Sequence, residues 1–258
     1  MHLYLKYFSI HIRSQMQYKF SFFFTTLGQF LVAFVTFLSI NFLFARFDSV
    51  CGFTYEEVLI CFAVMITAFS VAELFGRGFD RFPIIIGNGG FDRILVRPRN
   101  IIFQVLASQM EFSRLGRFAQ AILVFLYVIP RSDINWTWQR VIVLALMVIC
   151  GALVFFGLFV IYASFSFFTL EGLEFMNILT YGGREHGRLP FSVYGDGVLK
   201  FLTYVIPLAL IQYYPLLYLI GREDRFLYAV APVISLVFLF PCYIFFLFGL
   251  RKYKSTGS

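Results

Sequence analysis

Charge is what this sequence has least of. Charged side chains make up 14% of its 258 residues, and Phe20 to Phe44 contains none at all; an ordinary soluble domain carries about 25%. With 60% hydrophobic and 21% aromatic residues, the chain has too little polar surface for a soluble body. It also leaves no room for a separate soluble catalytic domain beside its long apolar runs. Nucleotide-cradling GxxxxGK[ST], zinc-binding HExxH and the GxSxG nucleophile turn are all absent, which excludes phosphate binding in the P-loop manner and those two hydrolytic sites. Cysteine is scarce too. Cys51, Cys61, Cys150 and Cys242 form neither a disulfide framework nor a CxxC metal site.

What is present in quantity is continuous apolar sequence. A helix rises about 1.5 Å per residue, so roughly twenty apolar residues cross a hydrocarbon core of about 30 Å. The runs do not alternate and therefore read as helices. Crossings are expected at Phe20–Phe44, from about Val58 to Phe75, in a run ending near Pro130, from about Trp138 to Phe165, and at Leu227–Leu250. Trp136 and Trp138 mark an aromatic belt. Ahead of the first crossing, His2, Lys6, Ser9, Arg13 and Gln17 share one helical face, with Tyr4, Phe8 and Tyr18 broadly opposite. Residues 1–19 thus suit an interfacial helix. The first long apolar run lies too far along for a signal-peptide h-region, so the N-terminus is expected to be retained.

Between Gly76 and Arg117 stand seven arginines, Arg77, Arg81, Arg93, Arg97, Arg99, Arg114 and Arg117, against Asp80, Asp92 and Glu111. This basic loop is expected to be cytoplasmic, and Lys6, Arg13, Lys19, Arg251, Lys252 and Lys254 put both termini on the same side. The net charge of +7 reflects that bias, so no nucleic-acid partner is expected. Both termini inside require an even number of crossings. The fifth is open: either Phe201–Ile220, interrupted by Pro207 and Pro215, or a stretch near Phe165–Tyr181 followed by a segment that dips into the outer leaflet and returns.

Two constellations could carry function. In Gly89–Pro98, glycines permit a sharp bend, Phe91 to Arg97 can form a short amphipathic helix and Pro98 ends it. In Thr169–Glu185, Glu171 and Glu174 are three apart on one helix face, and ionisable groups at membrane depth are functional candidates. An intramembrane enzyme using Glu171, Glu174 and His186 is the rival reading, and an accessory scaffold subunit is a third. Tyr194–Gly197 only approximates an intramembrane protease GxGD motif and reads as a Gly-Asp turn.

Longer strings resemble a known family, the bacterial type-2 (ABC-2) ABC transporter permeases. They are L-V-R-P-R-N at Leu95–Asn100, L-E-F-M-N-I-L-T-Y-G-G-R-E at Leu173–Glu185, P-F-S-V-Y at Pro190–Tyr194, and I-P-L-A-L-I-Q-Y-Y-P-L-L-Y-L-I-G at Ile206–Gly221. The resemblance implies an all-α membrane protein in the bacterial cytoplasmic membrane. It would have an N-terminal interfacial connecting helix, six transmembrane helices over 20–250, a re-entrant outer-leaflet segment before the last helix and a cytoplasmic tail at 251–258. This favours the fifth crossing near Phe165–Tyr181, with 183–226 external or re-entrant. It implies an exporter subunit, not an enzyme, without a cofactor of its own: ATP and Mg would sit on a cytoplasmic ABC ATPase, present in two copies, beside a second permease of the same or a related chain. Within the coupling loop 76–117, Gly90, Phe91, Asp92, Arg93, Leu95, Arg97 and Pro98 would couple to the ATPase. Phe91, Ile94 and Leu95 are expected to dock while Asp92, Arg93 and Arg97 fix register. Glu171, Glu174, Asn177, Arg184 and Glu185 are candidate gate or path residues. No metal site is expected.

Overall fold

In the computed structural model, which describes residues 2–169 and 174–254, the amphipathic N-terminal segment is helix α1 (His2–Met16). Its aromatic face packs inward, Tyr4 against Phe103 at 5.9 Å and Phe8 against Phe112 at 5.0 Å. Helix α2 (Lys19–Phe44, 26 residues) follows and buries only Ala33, Thr36 and Ile40. Phe20, Phe24, Val32, Val35 and Phe42 stay exposed on it, as a peripheral helix facing hydrocarbon requires.

Helix α3 (Tyr55–Asp80) starts on a capping box, in which the Thr54 hydroxyl accepts from the Glu57 amide and the Glu57 carboxylate accepts from the Thr54 amide. Every residue from Val58 to Ser70 is buried, so α3 is the central pillar. It runs on through α4 (Phe82–Gly87) to give a 33-residue candidate span, Tyr55–Gly87. The region expected as a loop from Gly76 is therefore mostly helical: α5 (Gly90–Leu95), α6 (Ile101–Ser108), a 3-10 turn at Phe112–Arg114, and α7 (Leu115–Val128). α7 corresponds to the expected third crossing, although its 14 residues measure only about 21 Å.

Helix α8 (Trp138–Thr169, 32 residues) packs along α3 and carries on beyond the expected end at Phe165. Next come the short helices α9 (Met176–Leu179) and α10 (Tyr181–His186), a 3-10 turn at Phe191–Tyr194, then α11 (Asp196–Tyr204), α12 (Leu208–Ile211) and α13 (Tyr213–Leu219). Helices α14 (Phe226–Ser235) and α15 (Leu239–Lys252) are joined by a 3-10 turn into one 27-residue span. Among the described residues, four helices are long and apolar enough to cross a membrane, and α11 with α12–α13, bent by 86°, makes a fifth candidate. Among the described residues there is no β-strand; Val50 and Phe53 form one bridge in the α2–α3 turn. The described residues thus form an all-helical, multi-pass membrane protein.

α1 and Tyr253 lie at one end of the bundle, here called the base, with α5 and α6. At the far end Arg222 donates to the Glu57 carboxylate at 2.9 Å and sits 4.5 Å over the Phe53 ring. No single helix occupies 165–181, because Phe165–Thr169 complete α8 and the described remainder starts anew at α9. The chain instead climbs in pieces along α3: Tyr181 beside Phe69, Gly187 against Met65, Tyr213 beside Phe53. Within 183–226, expected to be external or re-entrant, Gly183, Gly187, Phe191, Leu208 and Ile211 are buried in the bundle. Irregular backbone at that depth needs internal partners. Buried Gln212 supplies them, donating to the Gly187 and Leu189 carbonyls (3.2 and 2.8 Å) and accepting from the Phe191 amide at 3.3 Å.

Candidate functional site

The chain turns into α5 at Gly89, whose φ of 66° is the left-handed conformation that a residue with a Cβ enters only with strain. Behind this turn the helix is rooted by Phe91, which is fully buried. Its ring meets Phe82 at 5.2 Å, Phe167 at 5.4 Å and Tyr253 at 4.9 Å, all edge to face. The Tyr253 hydroxyl donates to the Asp92 carboxylate at 3.0 Å. Burial, then the hydrogen bond and charge of Asp92, push the Tyr253 phenol above its ordinary pKa.

This geometry divides the residues expected to dock. Phe91 and Ile94 turn inward onto the core, while Leu95 is left on the surface. It is joined there by Val96, 82% exposed, which sequence reasoning passed over. Arg93, Arg97 and Pro98 are exposed as well, and Gly90 and Asp92 are half-buried. The exposed tip is thus a small apolar patch between two arginines, held by an aromatic root. The amphipathic pattern does show a buried side; what it could not show is that Phe91 belongs to it, because the ring's partners lie up to 162 positions away.

Above the base lies a second arrangement, a network of charges inside the bundle. Glu73, fully buried in α3, pairs with Arg117 of α7, with Arg114 at 3.4 Å and with Arg77 at 3.7 Å. Arg77 also pairs with Asp80 and, at 2.6 Å, with Glu111, which Arg114 meets at 3.1 Å. The Tyr181 hydroxyl of α10 stands 3.2 Å from the Glu73 carboxylate and 3.1 Å from that of Asp80. Arg184 stacks 4.9 Å above the Phe69 ring. Burial alone would raise the Glu111 carboxyl, but Arg114, Arg77 and Arg81 overcome it and hold the group below its ordinary range. Opposed, hydrogen-bonded charges of this kind fix the relative positions of α3, α7 and α10; breaking any one leaves the others buried and uncompensated.

Most of these residues were legible only as a basic loop. Glu73 was missed, although a lone carboxylate in S-V-A-E-L-F, within an apolar run, is a signal in its own right. Of the expected gate residues, Glu171 lies outside the described residues. Glu174 and Asn177 are exposed, and Glu185 pairs with Arg184 and Arg188. Only Arg184 reaches the network's surroundings. His186 packs its ring on Tyr194 at 5.2 Å, and no group of three or more His, Cys, Asp or Glu able to hold a metal occurs among the described residues.

A sequence profile described as ABC-2 family transporter protein matches residues 30–257. No curated protein and no solved structure matches the chain.

Proposed function

Because the chain belongs to the ABC-2 family of transporter proteins, we propose that it is the permease subunit of a bacterial exporter, driven by a separate ATPase and paired with a second permease. Membership supports a transport role in the membrane and association with an ATPase. The more specific reading rests on α5. A short helix whose outer face offers Arg93, Leu95, Val96 and Arg97, and whose inner face is sunk among α4, α8 and Tyr253, is built to receive a push and pass it on.

In this reading the base is cytoplasmic and six passages cross the bilayer: α2, α3–α4, α7, α8, the broken segment from α9 to α13, and α14–α15. ATP and Mg bind to two copies of the partner ATPase, whose closure moves α5. The charge network holds the inward end of the path until α10 shifts against α3 and the pairs around Glu73 are exchanged. Substrate passes between the two permeases, the second being the same or a related chain, and this chain supplies path, packing and gate.

Co-purification in mild detergent tests the first part: native complexes should contain a nucleotide-binding subunit, and their absence would overturn the reading. Replacing Arg93, Leu95 and Val96 with aspartates should abolish that association while the isolated chain melts as wild type does. Undiminished association would move the contact away from α5.

A further inference from the structure

A cleft of about 490 Å³ opens at the base, between α1 and the first turns of α2 on one side and the end of α3 with the 110–113 turn on the other. His11, Gln15, Ser21, Thr25, Arg81 and Gln109 line it. Its depth is set by its neighbours. Lys19 opens the apolar run of α2 and Arg81 lies in the last two turns of the Tyr55–Gly87 span; in the orientation proposed above, the cleft sits near the headgroups.

Its charge is positive and available. The Arg81 side chain is exposed and makes no direct hydrogen bond or ion pair among the described residues; the carboxylate on the same wall, Glu111, feels its charge but is paired directly with Arg77 and Arg114. The Gln109 amide makes no side-chain hydrogen bond among the described residues either. Tyr18, Phe22 and Met110 add apolar wall, and Phe20, Phe23 and Phe24 on the same turns of α2 are exposed. Cation and amide donor at headgroup depth, with an apolar slope leading into the bilayer, match one kind of ligand.

We propose that this cleft binds an anionic membrane phospholipid. Arg81 holds the phosphate oxygens, Gln109 supplies a second donor, and the acyl chains lie along Phe22 and the outer face of α2. Basic pockets between helices at a membrane face recognise headgroups by this combination of charge and depth. A lipid seated here braces α1 against α3 from outside, at the level of the charge network.

The test titrates the full chain, purified in detergent, with phosphatidylglycerol or phosphatidylcholine, and reads lipid retention by native mass spectrometry. Wild type should retain the anionic lipid about tenfold more tightly, the margin of one charge-assisted contact. Arg81→Ala should erase that preference and Arg81→Lys restore part of it. Arg131→Ala, which removes the same charge at the far end, should leave it intact. Equal retention of the two lipids by wild type, or an unchanged preference in Arg81→Ala, overturns the proposal. So does binding of inorganic phosphate without lipid preference, which would assign the cleft to the free ion.

Discussion

Glu73→Gln is the sharpest probe of whether the buried network holds the bundle together. The substitution keeps shape and one acceptor and removes the charge that Arg117 and Arg114 face. Solvent screens little here, because the Glu73 side chain is fully buried and that of Arg117 is 4% exposed. Breaking one partner of such a buried pair costs about 3–5 kcal/mol, and a weakened contact at the Tyr181 hydroxyl adds about 1 kcal/mol. At roughly 2–4 °C per kcal/mol for a chain of this size, the melting temperature should fall by about 10 °C or more. The assay is a thermal melt in detergent followed by thiol exposure, since Cys61, Cys150 and Cys242 are buried free thiols. Combining Glu73→Gln with Arg117→Gln restores the charge balance, so the double variant should recover part of the loss, with a coupling on the order of 1–3 kcal/mol. A single variant melting within about 2 °C of wild type, or a double variant that loses the sum of the two, would refute a mutually dependent network.

Phe91→Ala empties the root of α5 and should cost about 4 kcal/mol, lowering the melting temperature, whereas Val96→Ala at the exposed tip should leave it unchanged; equal effects would mean that the inward and outward faces are misassigned. The depressed pKa of Glu111 stabilises the folded chain above the ordinary carboxyl value of 4.5, and that contribution is lost as pH falls through the lower folded value. Melting temperature should therefore drop more steeply on acidification in wild type than in Glu111→Gln, and parallel curves would remove Glu111 from the stabilising set. In a background lacking the four native cysteines, Asp224→Cys should react with an impermeant thiol reagent on intact cells and Arg97→Cys only after the membrane is opened. The reverse pattern would invert the proposed orientation.

Hydropathy reads straight helices well because each carries its own evidence. Lys19–Phe44, Trp138–Thr169 and Phe226–Lys252 lie within a few residues of where their apolar runs place them, and of the three aromatics grouped on the N-terminal segment, Tyr4 and Phe8 pack on Phe103 and Phe112 while Tyr18 is exposed beyond α1. It fails where the reason for a conformation sits elsewhere in the chain. Nothing near Gly187–Phe191 announces that Gln212 will satisfy its backbone, so the passage between α8 and α14 could be read as either of two helices, and no unbroken helix fills either range. The charge network fails for a related reason. Three of the seven arginines that look like a topology signal when counted along Gly76–Arg117, namely Arg77, Arg114 and Arg117, are drawn inside by Glu73, and only the fold brings these together. The glycines and Pro98 mark the bend and end of the short helix within Gly89–Pro98, yet which of its side chains faces outward depended on ring partners in α4, α8 and at Tyr253.

The rings behind α5 also have mechanical properties. Phe82, Phe91, Phe167, Phe246 and Tyr253 touch mostly edge to face at centroid separations between 4.9 and 6.1 Å, and side chains packed at interior density have little compressibility. A load on Leu95 or Val96 reaches Phe167 near the end of α8 and Phe246 in α15 with no slack between them. The segment steadied by Gln212 is held differently, by three hydrogen bonds to one buried amide rather than by interlocked rings. The molecule thus has a stiff arm, made of its two long helices locked at one end, that moves as one piece when α5 is pushed.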